Sequence, residues 1–378
     1  MAEPAAAPLS APLHDVVVID FSELLPGPFF TQSLVELGAT VIRVERPPHG
    51  DRLGILAPAV FTSVNRGKQR FMVDLRTQAG RTRVQEWLAR ADVLVESYRP
   101  GVLGRYGLDY ATLHERHPRL IYVSLSGYGQ DGVDSNLPGH DINYLAAAGV
   151  LALAGEPNGP PQAAAGVPMA DLCGATYGLS ALLAALYQRE RTGKGQYLDV
   201  ALAEGPLHWL NGRLAAMREG GHQDMASQRA ALARPAYGAF VCRDGIYISI
   251  AALEDHFWAN LLGVLDMGRF AGPEYAAASA RRLAAVEIND VLAARLMEHD
   301  AAALLDKLVQ ADVPAMQVRG LEAIHADPHF TSRRLFQETD AGPLCRFPVR
   351  LDGMIAPPRG PESLNTTGEP VFPATAGG

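Results

Sequence analysis

Val16 to Arg46 read VVVIDFSELLPGPFFTQSLVELGATVIRVER, and the pattern of apolar residues changes period twice inside that stretch. The β-branched run Val16 to Ile19 predicts a strand, Phe29 to Leu37 has helical spacing, and Thr40 to Val44 is β-branched again. Strand, helix and strand in that order form a βαβ unit, whose strands lie parallel. Further strands are predicted at Phe71 to Leu75, Val93 to Val95 and Leu120 to Leu125, with a helix at Gly80 to Arg90. The fold class that follows is α/β, a mainly parallel sheet with helices on both faces and a ligand site beyond the carboxyl ends of its strands.

Downstream, Gly129 to Pro168 is rich in glycine and proline around the short apolar segment Tyr144 to Ala154. A passage that long and irregular is usually functional. A helix is predicted from Val167-Pro168-Met169-Ala170-Asp171 to about Arg191, with proline and acid at its start and Arg189, Arg191 and Gly193 at its end. The strand Tyr197 to Leu202 follows. Beyond Pro206, strands at Ala239 to Cys242, Ile246 to Ala251 and Val313 to Val318 and Ala-rich helices predict a smaller α+β domain. The expected division is a loose tail at 1–14, a large domain at 15–205 completed by 330–378, and a small domain with linkers at 206–329. From Gly342 onward the chain is expected to wrap over one of the domains.

The 378 residues carry a formal charge of −8. Between Arg43 and Arg76, however, seven basic residues (Arg43, Arg46, Arg52, Arg66, Lys68, Arg70, Arg76) stand against Glu45, Asp51 and Asp74. A local positive region on an acidic protein suits a small phosphorylated ligand better than a nucleic-acid backbone, and equally suits a solvated charged surface. Cys173, Cys242 and Cys345 are scattered, so neither a disulfide framework nor a thiolate metal site is expected. The first residues lack the charged start and apolar core of a signal peptide, and the apolar runs are core-sized. A cytoplasmic protein with no membrane partner is expected.

The loop after the first predicted strand, Phe21-Ser22-Glu23-Leu24-Leu25-Pro26-Gly27-Pro28, puts prolines where a dinucleotide-binding turn needs glycines. His114/His117 and His325/His329 lack a third ligand, so no metal is expected. Neither a GxSxG elbow nor a complete phosphate loop is present. What remains is Gly139-His140-Asp141-Ile142-Asn143-Tyr144, together with Asp171 at a helix start. A loop histidine is as readily solvated as it is a proton carrier, and an aspartate there is commonly a cap. Used chemically, the helix dipole would keep Asp171 ionised, nearby backbone amides would hold a developing oxyanion, and His140 would exchange a proton near neutral pH.

At these residues the chain resembles the family III CoA-transferase superfamily, which also contains the α-methylacyl-CoA racemases. The resemblance runs from Val16 to Leu202, with weaker echoes beyond. It is carried by Leu25-Pro26-Gly27-Pro28, Leu37 to Pro47, Asn65-Arg66-Gly67-Lys68, Val73-Asp74-Leu75-Arg76, Asp92 to Gly101, Ser126 to Gln130 and Arg191 to Gln196. It implies a large Rossmann-like domain plus a small one, an interlinked homodimer, an acyl-CoA thioester as substrate and no separate cofactor. By the same resemblance, Arg46, Val73, Asp74, Leu75, Arg76, Ser97, Tyr98, Arg99, Arg105, Gly139, Asp141, Ile142, Asn143 and Tyr144 would contact CoA.

Asp171 matches the catalytic aspartate of both branches. In a transferase it would attack the thioester carbonyl, giving an acyl-enzyme anhydride. In a racemase it would be one of two bases flanking the α-carbon. His140 and Glu254 match the racemase histidine and the glutamate that tunes it, and Ala233 to Gly238 lacks the glycine-rich flap of the formyl-CoA type. The expectation is an α-methylacyl-CoA racemase using His140, Asp171 and Glu254, with amides near Asp171 holding the enolate oxygen. The alternative is CoA transfer through Asp171, and a non-catalytic CoA-binding protein is the third reading.

Overall fold

Val17–Asp20 (β1), Thr40–Glu45 (β2), Gln69–Met72 (β3), Val93–Glu96 (β4), Ile121–Ser126 (β5) and Tyr197–Ala201 (β6) are strands of one sheet in the computed structural model. With Ser363–Asn365 added at one edge, the order is Ser363–Asn365, β3, β2, β1, β4, β5, β6, and every pair is parallel. The structure describes residues 11–162, 166–339, 342–351, 354–355, 363–365 and 368–373. The helices used below are α1 (Pro26–Glu36), α2 (Gln78–Leu88), α3 (Asp141–Ala147), α4 (Met169–Thr192), α5 (Glu204–Trp209) and α6 (Asp255–Val264).

The strands are apolar on both sides because helices cover both faces, which is why they read as continuous apolar runs. Val93, Val95, Ile121, Val123 and Leu125 pack with Phe30 and Leu34 of α1 and Leu182 and Ala185 of α4. Leu94 and Tyr122, pointing the other way, pack with Val84, Trp87 and Leu88 of α2. Pro26 opens α1 at the first helical position, where its missing N–H costs nothing, and Gly193 closes α4 with φ +70°. By length and composition α4 is apolar enough to cross a membrane. Its Cys173, Gly178, Leu182 and Leu186 are buried in the protein.

The third strand starts two residues before and ends three residues before the expected Phe71 to Leu75. Val73 still donates to Glu45 O, but Asp74 takes the Arg76 N–H on its own carboxylate and the Thr77 N–H on its carbonyl, turning the chain into α2. Residues 1–10 of the expected tail lie outside the described residues. The rest of it is ordered, since Leu13 donates its N–H to Leu37 O and is buried in the core.

The chain divides into two compact units, one of Met1–Ala154, Pro161–Ala216 and Pro328–Gly378, the other of Gly155–Pro160 and Met217–Asp327. The first unit runs past the boundary at 206 because α5 packs on α4 so closely that a Cβ on Gly205 would lie 2.7 Å from Cys173 Sγ. In the second unit Tyr237–Val241 (β7), Tyr247–Ala251 (β8) and Ala315–Gln317 (β9) form an antiparallel sheet. Its core includes Ile248, Ile250, Leu261, Leu292 and Leu304.

Candidate active site

In the first unit the strand order reverses between β1 and β4, because β2 and β3 run to one side of β1 while β4 to β6 run to the other. Chain leaving the carboxyl ends of two such strands diverges, opening a crevice. A pocket of 170 Å³ lies there, and Arg46, Val73, Asp74, Leu75, Arg76 and Tyr98 of the expected contact set line it. Leu103 and Tyr106 also line it. Neither was singled out in the sequence, where they look like ordinary core and surface residues.

Other members of the set are already engaged. Ser97 Oγ accepts the Glu23 N–H at 2.9 Å and so holds the loop after β1. The Arg76 guanidinium grips Asp74 through both carboxylate oxygens, at 2.9 and 2.8 Å, holding that carboxyl down at about 2. Arg46 comes within 3.8 Å of Glu23, with its side chain 65% exposed. Arg99 and Arg105 are exposed.

The basic region from Arg43 to Arg76 is mostly not a ligand surface. Arg43 is fully buried and pairs with Asp20 at 3.3 Å, Glu45 at 3.2 Å and Asp51 at 2.5 Å. Lys68, also buried, lies 3.6 Å from Asp20, while Arg70 bonds Glu45 and Arg66 bonds Glu36, each at 2.6 Å. These cations balance carboxylates inside the protein, where an unpaired charge would cost several kcal/mol. Asp51 also accepts the N–H of Leu24, which has φ +64°. The network therefore fixes the backbone beside the crevice.

The second part of the site forms where the irregular passage meets α4. His140 is exposed and precedes α3, with its N–H donated to Asn143 Oδ1 at 3.0 Å. Asp141 is the first residue of α3. Its Oδ1 accepts the N–H of Ala170 at 2.7 Å and of Asp171 at 3.2 Å. A residue far back in the chain thus caps α4, and the backbone carrying His140 is tied to the backbone carrying Asp171. The Asp171 carboxyl is half-buried and pushed up to about 7, first by burial and then by the charge on Asp141.

Two expectations are corrected here. Asp171 is not held at an ordinary carboxylate value, because burial and then the Asp141 charge push its carboxyl up to about 7. Nor are the Ala170 and Asp171 amides available to an oxyanion, because Asp141 occupies both. That occupation also gives Asp141 a structural task through its Oδ1.

Tyr144 forms the floor beneath this junction. Its hydroxyl donates to Gly139 O at 2.6 Å, and its ring meets that of Tyr128 edge-on at 5.2 Å. Glycine is required on both sides, since a Cβ on Gly127 or Gly139 would lie 2.5 or 2.6 Å from the Tyr144 ring. Burial, and then the Asp171 charge, push the Tyr144 hydroxyl up to about 12, so it stays a donor. Ile142 and Asn143 are exposed on α3. Glu254 belongs to the second unit, exposed at the start of α6, and its carboxylate does not cap that helix.

The family profile described as CoA-transferase family III matches residues 13–362. The chain is 31% identical over 364 residues to the acetyl-CoA:oxalate CoA-transferase of Acetobacter aceti, covering 94% of this chain and 93% of that one. It is 35% identical over 263 residues to the α-methylacyl-CoA racemase of Homo sapiens, covering 68% and 65%. Among solved structures, a CaiB/BaiF family protein from Brucella suis superposes with a TM-score of 0.82 at 31% identity, covering 94% of this chain and 97% of that one.

Proposed function

Because the chain belongs to CoA-transferase family III, we propose that it binds an acyl-CoA thioester and epimerises a 2-methylacyl group by moving the α-proton through an enolate. The observation that supports this reading is the Asp141 bridge, which ties the backbone next to His140 to the helix start bearing Asp171, whose carboxyl is pushed up to about 7 by burial and by Asp141. Inversion at carbon needs a proton carrier on each face, each able to give as readily as it takes. A carboxyl raised by burial and by a neighbouring carboxylate is suited to that exchange.

In this reading His140 serves one face of the α-carbon and Asp171 the other. The proton leaves as its electron pair passes into the thioester carbonyl, and it returns to the opposite face. The thioester itself acidifies the α-carbon, so no further cofactor is needed. The nucleotide end of CoA takes the crevice beyond β1 and β4, where Arg46 lines the wall and is exposed and can meet its phosphates, with Arg99 and Arg105 exposed on the chain that follows β4. The enzyme works in a reducing cytoplasm as a homodimer. Tyr177, Leu183 and Tyr187 of α4 and Leu207 and Trp209 of α5 are large exposed apolar residues suited to cover by a second copy.

A second reading, CoA transfer through an aspartyl anhydride at Asp171, is favoured by the CoA-transferases among the relatives. One experiment separates the two. A single epimer of 2-methylbutanoyl-CoA is incubated with the protein in D₂O. Epimerisation with deuterium uptake at the α-carbon is the expected result. No uptake, together with hydroxylamine capture of an acyl group on Asp171, would replace the racemase with the transferase.

A further inference from the structure

Glu96 ends β4 with only 4% of its surface exposed, and among the described residues it pairs with no cation. Burying a carboxyl without a counter-charge is costly, and an aliphatic residue there would pack more favourably. Its oxygens are both used. Oε2 accepts the Tyr98 N–H at 2.6 Å, and Oε1 accepts the hydroxyl of Ser124, its register partner on β5.

The other side of Tyr98 is held as well. Its carbonyl accepts Gln130 Nε2 at 3.1 Å, and the Gln130 N–H donates to Asp199 on β6 at 2.9 Å. Asp199 pairs in register with Ser124. Tyr98 is therefore clamped at its N–H by Glu96 of β4, which Ser124 of β5 holds, and at its C=O by Gln130, which Asp199 of β6 holds. Gln130 also lies two residues beyond Tyr128, whose ring packs on Tyr144 beneath the His140 turn. The crevice wall and the His140 turn thus share one foundation.

We propose that Glu96 is a positioning residue that, with Gln130, fixes Tyr98 and the loop Ser97 to Gly101 as the wall against which the CoA moiety binds. The inference rests on the acyl-CoA reading for its ligand and on the hydrogen bonds alone for the clamp. Burial pushes the Glu96 carboxyl up to about 7, so a neutral amide is a fair substitute near neutrality. Glutamine can accept from Tyr98 and donate to Ser124 Oγ, whereas alanine can do neither.

The test uses the full chain and the variants Glu96→Ala, Glu96→Gln and Gln130→Ala, each checked for folding by circular dichroism. Hydrogen exchange is followed in peptides spanning Ser97 to Gly101, and propionyl-CoA binding is followed by calorimetry. Losing a buried partner predicts roughly tenfold faster exchange in that segment and roughly tenfold weaker binding for Glu96→Ala and Gln130→Ala. Glu96→Gln should restore both. Exchange and affinity at wild-type levels in folded Glu96→Ala would overturn the proposal, as would a glutamine variant no better than alanine. If Glu96→Ala does not fold, unchanged exchange and affinity in Gln130→Ala overturns it. Wild-type protein that binds no CoA thioester while the exchange results hold would remove the acyl-CoA reading and leave the clamp standing.

Discussion

Asp141 Oδ1 accepts the backbone N–H of Asp171 at 3.2 Å from thirty positions back in the chain. This bond, with its companion to Ala170 at 2.7 Å, does two things at once. It supplies the missing cap of α4, and it places a negative charge beside the carboxyl that the proposed chemistry needs near neutrality.

Those two effects are separable by substitution. Asp141→Asn keeps an oxygen for the two amides but removes the charge, so the Asp171 carboxyl titrates lower. The rising limb of the pH–rate profile, for the epimer whose proton Asp171 removes, is expected to move to lower pH. Asp141→Ala loses the cap too and should cost about 1 kcal/mol in urea unfolding.

The Asp171 carboxyl also sets a pH dependence of stability. Its folded value is near 7, above the ordinary 3.8, so the folded state holds its proton more tightly than the unfolded chain does. Wild-type stability contributed by this group is present below pH 4 and is lost as pH rises through 7. Asp171→Asn has no such loss. Its advantage in urea unfolding should grow from near zero at pH 4 to about 2 kcal/mol at pH 8, a figure reduced for partial exposure.

Arg43 tests the reassignment of the basic region. Arg43→Met would leave Asp20 and Asp51 buried with one fewer cation, and a loss of 3 to 5 kcal/mol is expected from broken buried pairs. Denaturant unfolding measures this directly. A stable variant with weakened CoA binding would instead return Arg43 to the ligand site.

The parallel sheet was legible because β1, β2, β4 and β5 carry apolar, largely β-branched runs, and the helices between them keep a helical period. The edge strand Ser363–Asn365 was not legible, since three residues in a proline-rich tail carry no period and depend on β3 for their bonds. In the site, His140 and Asp171 stood out through their neighbours in sequence. The Asp141 cap did not, because its bonds join residues 29 and 30 positions apart, and no local spacing encodes them. Charge counting failed between Arg43 and Arg76 for a related reason. Asp20 and Glu36, two of the partners that neutralise the region, precede it in the chain.

The central claim is that two different groups serve opposite faces of one carbon. Its most direct test follows each resolved epimer of 2-methylbutanoyl-CoA separately in D₂O, with His140→Ala and Asp171→Asn. Neither variant should epimerise, yet His140→Ala should still exchange the α-proton of one epimer and Asp171→Asn that of the other. Exchange of the same epimer by both variants, or epimerisation surviving in either, would contradict the account.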